Sequence, residues 1–196
     1  IQVHWMPNLY GSNPQKDLEM FFDLFQNEAF KPDELKIYPC SLIPGTELVK
    51  LHSEQKWHPY DHDTLLKIVI DYLKNTPRYC RVTRVIRDIP STEIAAGSTR
   101  TNLRQDAELA ITKANTKVVE IRFREIKKEQ IDPDTLQLKK TVYETSVSSE
   151  YFLEYVTPED KLAGFLRLSL PKINSQIPEL LQSAVIREIH VYGQSL

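Results

Sequence analysis

The sequence predicts an α/β unit followed by an α+β unit, and two observations support this. In residues 1–90, short apolar runs alternate with segments of helical periodicity, a pattern typical of βα units around a mostly parallel sheet. From residue 117 onward, one strand-like segment follows another across turn signals, which favours an antiparallel sheet. We therefore expect three parts: residues 1–90, a linker and connecting helix at 91–116, and residues 117–196.

Three strands and three helices are expected in the first part. The strands are expected at residues 2–6, 35–39 and 80–90, which are rich in apolar residues and each run up to or include a proline. The helices are expected at residues 17–25, 47–52 and 64–74. The first helix places apolar side chains at positions 18, 21, 22 and 25, which form one face. In the last strand basic and apolar residues alternate, which puts Arg81 on a polar face and Val82 with Val85 or Ile86 inside.

The second half begins with a helix at residues 103–114, with Asn102 as a plausible N-cap. Four strands are then expected, at residues 118–126, 141–156, 162–170 and 184–192.

Composition indicates an ordinary globular protein. The 196 residues are 41% hydrophobic and 27% charged, unlike disordered or fibrous chains. No apolar run approaches the ~18 residues that cross a bilayer, and the first residues do not resemble a signal peptide. We expect a cytoplasmic protein without membrane contact. Because the chain lacks an initiator methionine and begins and ends in strand-like runs, we also expect an internal fragment of a longer protein.

Local clusters of basic residues suggest a polyanionic partner, although the net charge is only -2. The first cluster lies within residues 74–87 and comprises Lys74, Arg78, Arg81, Arg84 and Arg87. The second comprises Arg122, Arg124, Lys127 and Lys128. Each cluster could contact several phosphates, or could be the solvated face of an ordinary element.

A search for catalytic motifs is mostly negative. The sequence has no nucleophile elbow, P-loop, HExxH motif or dinucleotide fingerprint. Cys40 and Cys80 are too far apart for a zinc or redox motif, so we expect two reduced thiols. His52, His58 and His62 lie near one another, but their spacing fits no standard ligand pattern. We predict no metal site, and a metal-dependent hydrolase is a remote alternative.

Several stretches together resemble the family of the catalytic subunit of Elongator. Residues 3–9 (VHWMPNL), 29–39 (AFKPDELKIYP) and 84–90 (RVIRDIP) resemble the second half of its radical-SAM domain. Residues 101–104 (TNLR) are similar to its domain-joining segment, and residues 186–193 (IREIHVYG) to the central strand of its GNAT-type acetyltransferase domain. The implied fold is the C-terminal half of a radical-SAM partial TIM-like barrel, followed by the N-terminal antiparallel strands of a GNAT domain.

The resemblance also implies a reaction. Members of the family use acetyl-CoA and S-adenosylmethionine (SAM), with a [4Fe-4S] cluster, to place a carboxymethyl-type group on C5 of the wobble uridine of tRNA. The cluster cysteines lie upstream in the family and the main acetyl-CoA turn lies downstream, so we expect this fragment to be inactive by itself. Relatives carry a C-x-C-x-x-C run that corresponds to residues 118–125, where this chain has no cysteine; zinc is not expected.

The resemblance further implies binding residues and partners. Acetyl-CoA is expected at Ile189, His190, Val191 and Tyr192, and SAM or the substrate near Lys36 and Tyr38. The first basic cluster is the expected tRNA contact, and accessory Elongator subunits are expected if the source is eukaryotic. The resemblance does not identify a catalytic residue. The alternative is a degenerate, non-catalytic RNA-binding or scaffold protein with the same fold.

Overall fold

The first half of the chain forms a three-stranded parallel sheet. A computed structural model describes residues 1–86, 91–98, 102–173 and 177–193. The sheet contains β1 (Gln2–Trp5), β2 (Glu34–Ile37) and β3 (Arg81–Val85), in that spatial order. The helices are α1 (Pro14–Gln26), α2 (Leu48–Ser53), α3 (His62–Asn75), α4 (Leu103–Lys113) and α5 (Ile121–Arg124). These bounds confirm the predicted strands and helices of the first part, up to residue 86.

Side-chain caps fix the starts of the two helices next to this sheet. The Asn13 side chain accepts a hydrogen bond from the backbone N–H of Lys16 (2.9 Å), and the Asp61 side chain accepts one from Thr64 (2.7 Å). Each cap satisfies a backbone donor that the helix itself leaves unpaired. At the start of α4, Asn102 occupies the predicted N-cap position, but its side chain makes no cap bond.

Aromatic packing holds α1 and α3 to one another and to the sheet. Phe21 of α1 stacks on Tyr72 of α3, with ring centroids 4.3 Å apart. Trp5 of β1 meets both rings edge to face. Leu35 and Ile37 of β2 are fully buried in the same cluster. The apolar face of the parallel sheet is therefore covered by helices.

The second half of the chain forms a four-stranded antiparallel sheet. Its strands are β4 (Gln137–Glu144), β5 (Ser148–Val156), β6 (Leu162–Pro171) and β7 (Val185–Val191), in that spatial order. Phe152, Val156, Leu162 and Phe165 belong to the same buried cluster as the core of the parallel sheet. One hydrophobic core therefore connects both sheets. No described helix is long and apolar enough to cross a membrane.

Two strand predictions are wrong in detail. Residues 118–126 contain α5 rather than a strand, because the Glu120 side chain accepts a hydrogen bond from the backbone N–H of Arg122 (2.9 Å) and caps a helical turn. The alternation of charged and apolar residues in this segment is also typical of a strand, which explains the wrong prediction. Residues 141–156 form a hairpin rather than one strand, since Thr145 accepts a hydrogen bond from Ser148 (3.0 Å) and closes the turn between β4 and β5.

Candidate functional site

The exposed face of the parallel sheet carries polar and basic side chains. Strand side chains alternate between faces, so the residues between the buried ones point away from the helices. The register aligns His4 of β1 with Lys36 of β2, and Lys36 with Arg84 of β3. Tyr38 follows β2, and its ring centroid lies 5.0 Å from that of His4. We call His4, Lys36, Tyr38 and Arg84 the basic row.

A cavity lies beside the start of this row. It has a volume of about 470 Å³ and its lining is mostly apolar, with contributions from His4, Trp5, Met6, Tyr10 and Met20. This volume falls within the range of small-molecule sites. The indole N–H of Trp5 is buried and has no hydrogen-bond partner among the described residues. The carboxyl ends of the strands therefore adjoin both a basic row and a space of ligand size.

The structure places the predicted tRNA contacts in different environments. Arg78 forms a bidentate pair with Asp160 (2.6 and 2.8 Å) and also pairs with Glu154. Arg81 pairs with Glu125 (2.7 Å). These two charges are compensated by carboxylates, which weakens their attraction for phosphate.

The remaining tRNA candidates are more accessible. Lys74 lies 3.8 Å from Asp71 and is largely exposed, and Arg84 is exposed in the basic row. Arg87 lies outside the described residues. The prediction that the cluster binds tRNA stays a prediction at all five positions.

The second basic cluster is partly internal. Arg124 is only 4% exposed and pairs with Glu154, and Arg122 donates to the carbonyl of Thr83. Burial lowers the pKa of both guanidinium groups, and nearby arginines lower it further. Both residues therefore connect α5 to neighbouring elements.

The expected acetyl-CoA residues lie at the end of β7, an edge strand. Ile189 and Val191 are exposed, and the His190 ring stacks on Phe165 at 5.7 Å. Tyr192 donates its backbone N–H to the carbonyl of Ala163 (2.8 Å). Within the described residues, no strand pairs with the outer edge of β7.

An ion-pair group that sequence reasoning missed joins the two sheets, with Asp33 and Arg167 buried and Arg187 partly exposed. Arg187 of β7 donates two hydrogen bonds (2.7 and 2.8 Å) to the carboxylate of Asp33, which lies just before β2. Arg167 of β6 lies 3.3 Å from the same carboxylate and donates to the carbonyl of Tyr79 (2.6 Å). We call Asp33, Arg167 and Arg187 the Asp33 clamp.

Arg167 is the most buried member of the Asp33 clamp. Its side chain is 2% exposed, and its guanidinium carbon lies 4.9 Å from the ring centroid of Phe152 and 5.1 Å from that of Phe165. Burial would raise the pKa of Asp33, but the hydrogen bonds from Arg187 and the charge of Arg167 outweigh it and lower the pKa to about 2. The period-two placement of Glu150 and Glu154 on either side of Phe152 was the one sequence signal for this charged interface.

The chain's cysteines and histidines do not form a metal site in the described residues. No group of three potential ligands occurs there. Cys80 is fully buried, Cys40 is half-buried, and both are free thiols. A [4Fe-4S] cluster held by cysteines needs more thiolates than these two supply, so its ligands do not come from this chain.

Comparisons with known proteins agree with this architecture. Residues 32–112 match the family of the Radical_SAM C-terminal domain. A tRNA uridine(34) acetyltransferase from Dehalococcoides mccartyi is 35% identical over 204 residues, which cover 100% of this chain and 44% of that protein. Elongator complex protein 3 from Danio rerio is 35% identical over 98% of this chain and 36% of its own length.

A solved structure matches closely as well. The archaeal Methanocaldococcus infernus Elp3 with an N-terminal deletion superposes with a TM-score of 0.88 at 32% identity, over 98% of this chain and 47% of that one. The predicted fold class is confirmed. The chain spans less than half the length of these relatives. Sequence and fold together show that this chain is similar, over nearly its whole length, to a part of the tRNA uridine(34) acetyltransferases and of Elongator complex protein 3.

Proposed function

We propose that the protein containing this chain modifies the wobble uridine of tRNA at C5 with a carboxymethyl-type group, using SAM and acetyl-CoA. The observation that carries the proposal is the pairing, in one core, of a parallel sheet bearing a basic row with an antiparallel sheet whose last strand, β7, leads into the expected acetyl-CoA residues. The name of the Dehalococcoides mccartyi relative, tRNA uridine(34) acetyltransferase, supports the transfer of an acetyl-derived group to this uridine. The division into parts at residues 90 and 116 remains a prediction.

The basic row suits the SAM or uridine side of the site. Lys36 and Tyr38 stand at the carboxyl end of β2, where barrels of this type bind ligands. The Lys36 ammonium can bind a carboxylate or phosphate, and the Tyr38 ring can stack on a base. SAM bound to a [4Fe-4S] cluster would supply a radical, which suits reaction at C5 of the uridine because this carbon is a poor nucleophile.

The end of β7 is the proposed acetyl-CoA side of the site. Ile189, His190 and Val191 would pair through their backbone with the pantetheine arm, and Tyr192 would pack below it. This chain carries only the strand, so the glycine-rich turn for the pyrophosphate is expected beyond it.

The tRNA surface would include the first basic cluster. A cytoplasmic location and, in a eukaryote, accessory Elongator subunits are part of the proposal. Its rival is a scaffold that binds RNA without catalysis.

The test uses the full-length protein, reconstituted anaerobically with its cluster and supplied with SAM, acetyl-CoA and tRNA. Nucleoside mass spectrometry should detect the modified wobble uridine, and Lys36→Ala should abolish it while the protein stays folded. Arg84→Ala should weaken tRNA binding and reduce its salt dependence, whereas the exposed control Lys56→Ala should not. Tight tRNA binding without any modified uridine would favour the scaffold.

A further inference from the structure

The Asp33 clamp lies midway between the two candidate ligand sites. Asp33 is three residues before Lys36 along β2, and Arg187 is three residues before His190 along β7. At the rise of an extended strand, each site lies about 10 Å from the clamp. The clamp therefore ties the strand carrying the basic row to the strand carrying the expected acetyl-CoA residues.

The chemistry of the clamp favours a fixed orientation. The fork of Arg187 meets both oxygens of Asp33, which restrains rotation as well as distance. Its Nε donates to Glu150 (2.9 Å), which also accepts from Ser148 (2.6 Å) and Ser169 (2.7 Å). The Arg187 guanidinium is therefore held by two carboxylates, those of Asp33 and Glu150.

Arg167 fixes the clamp from the neighbouring strand. It binds Glu188 of β7 (2.7 Å) through Nε and the carbonyl of Tyr79 through Nη1. Tyr79 precedes β3, so this single buried side chain touches the parallel sheet and both β6 and β7. A hydrophobic contact of similar area would hold the sheets together but would allow small sliding between them.

We propose that Asp33 and Arg187 are positioning residues that set the placement of β7 against β2, and thereby align acetyl-CoA with the uridine bound at the basic row. This inference rests on the proposed function. Transfer between two ligands held on different sheets is sensitive to small displacements, since a shift of about 1 Å can slow a reaction by about a hundredfold. Binding of either ligand alone does not need that alignment.

The chain offers a matched control. Asp160 forms the same kind of bidentate pair with Arg78 across the two sheets, at 2.6 and 2.8 Å. It lies in the turn between β5 and β6, away from β2 and β7. Asp160→Asn therefore removes one ion pair between the sheets without touching the Asp33 clamp.

The experiment compares full-length parent, Asp33→Asn, Arg187→Lys and Asp160→Asn proteins. The Kd for acetyl-CoA and for tRNA, the rate of uridine modification and the hydrogen exchange of β2 and β7 amides are measured for each. We expect Asp33→Asn to slow modification at least about tenfold at saturating ligands while both Kd values change less than about twofold. Exchange should rise in β2 and β7. Arg187→Lys keeps the charge but loses the fork, so it should show the same pattern at smaller amplitude.

Asp160→Asn should leave modification at saturation and exchange in β7 near the parental values. Equal losses in Asp33→Asn and Asp160→Asn, or unchanged exchange in β7 of Asp33→Asn, would overturn the positioning role. If the parent itself forms no modified uridine, the proposed function has failed, and the exchange measurement alone then decides whether the clamp fixes β7.

Discussion

Glu154 allows the stability of the junction between the sheets to be predicted quantitatively. This carboxylate on β5 is 0% exposed and pairs with both Arg78 and Arg124. In Glu154→Gln, Arg78 keeps its pair with Asp160, but Arg124, 4% exposed, loses its only carboxylate partner among the described residues. Breaking a buried pair in this way lowers the free energy of unfolding by about 3–5 kcal/mol. Because Arg78 keeps its pair with Asp160, we expect a loss of about 3 kcal/mol.

Urea unfolding of the purified protein measures this loss, and an exposed pair provides the control. Glu129 lies 3.3 Å from Lys161, with side chains 53% and 42% exposed, so Glu129→Gln should change the free energy of unfolding by less than about 0.5 kcal/mol. A lower midpoint for Glu154→Gln at an unchanged slope is expected. If both substitutions change the free energy of unfolding equally, the buried ion pairs do not stabilise the junction as argued.

Three further predictions concern pH, close strand packing and thiol reactivity. The pKa of Asp33 is lowered in the folded protein to about 2 from 3.8, so its contribution to stability is present above pH 3.8 and is lost as the pH falls through 2. In Asp33→Asn, the free energy of unfolding should therefore depend less on pH within that window. An unchanged pH dependence would contradict the assignment. At Gly164 an added Cβ would lie 3.0 Å from the carbonyl oxygen of His190. Gly164→Ala should therefore push β6 away from β7 and lower the free energy of unfolding, measured with urea, by about 1–3 kcal/mol. An unchanged free energy of unfolding would mean that the two strands separate without cost. Burial raises the pKa of Cys80 well above its usual value and raises that of Cys40 as well; a thiol reagent should label Cys40 in the native protein and Cys80 only after unfolding, and rapid native labelling of Cys80 would contradict its burial.

Local patterns predicted most elements because the relevant physics is local. Apolar periodicity identified α1 and α3, and residues that cannot continue a strand marked the ends of β1 and β2. The strand predicted at residues 118–126 was wrong because a strand and a capped helical turn can share the same alternation of charged and apolar residues. In the folded chain, the Glu120 carboxylate accepts from the Arg122 backbone as a cap and from Arg104 (2.6 Å) as a tertiary contact, and both favour the helical turn.

The charged junction could not be predicted for a different reason. Arg78 and Arg81 carry the same charge whether they face solvent or a carboxylate, and the partners Asp160 and Glu125 lie 82 and 44 positions away. Asp33 and Arg187 are 154 positions apart. Composition and spacing identify basic residues, but only the fold shows which of these charges are already paired.

Isotopically labelled acetyl-CoA tests the central claim most directly. The full-length protein is loaded with its cluster and given SAM, tRNA and acetyl-CoA labelled in the acetyl group, and the wobble nucleoside is examined by mass spectrometry. We expect labelled carbon attached to C5 of the wobble uridine in the parent, and much less of it in Asp33→Asn. An unmodified wobble uridine in the parent, with cluster, SAM and tRNA all shown to be bound, would contradict it.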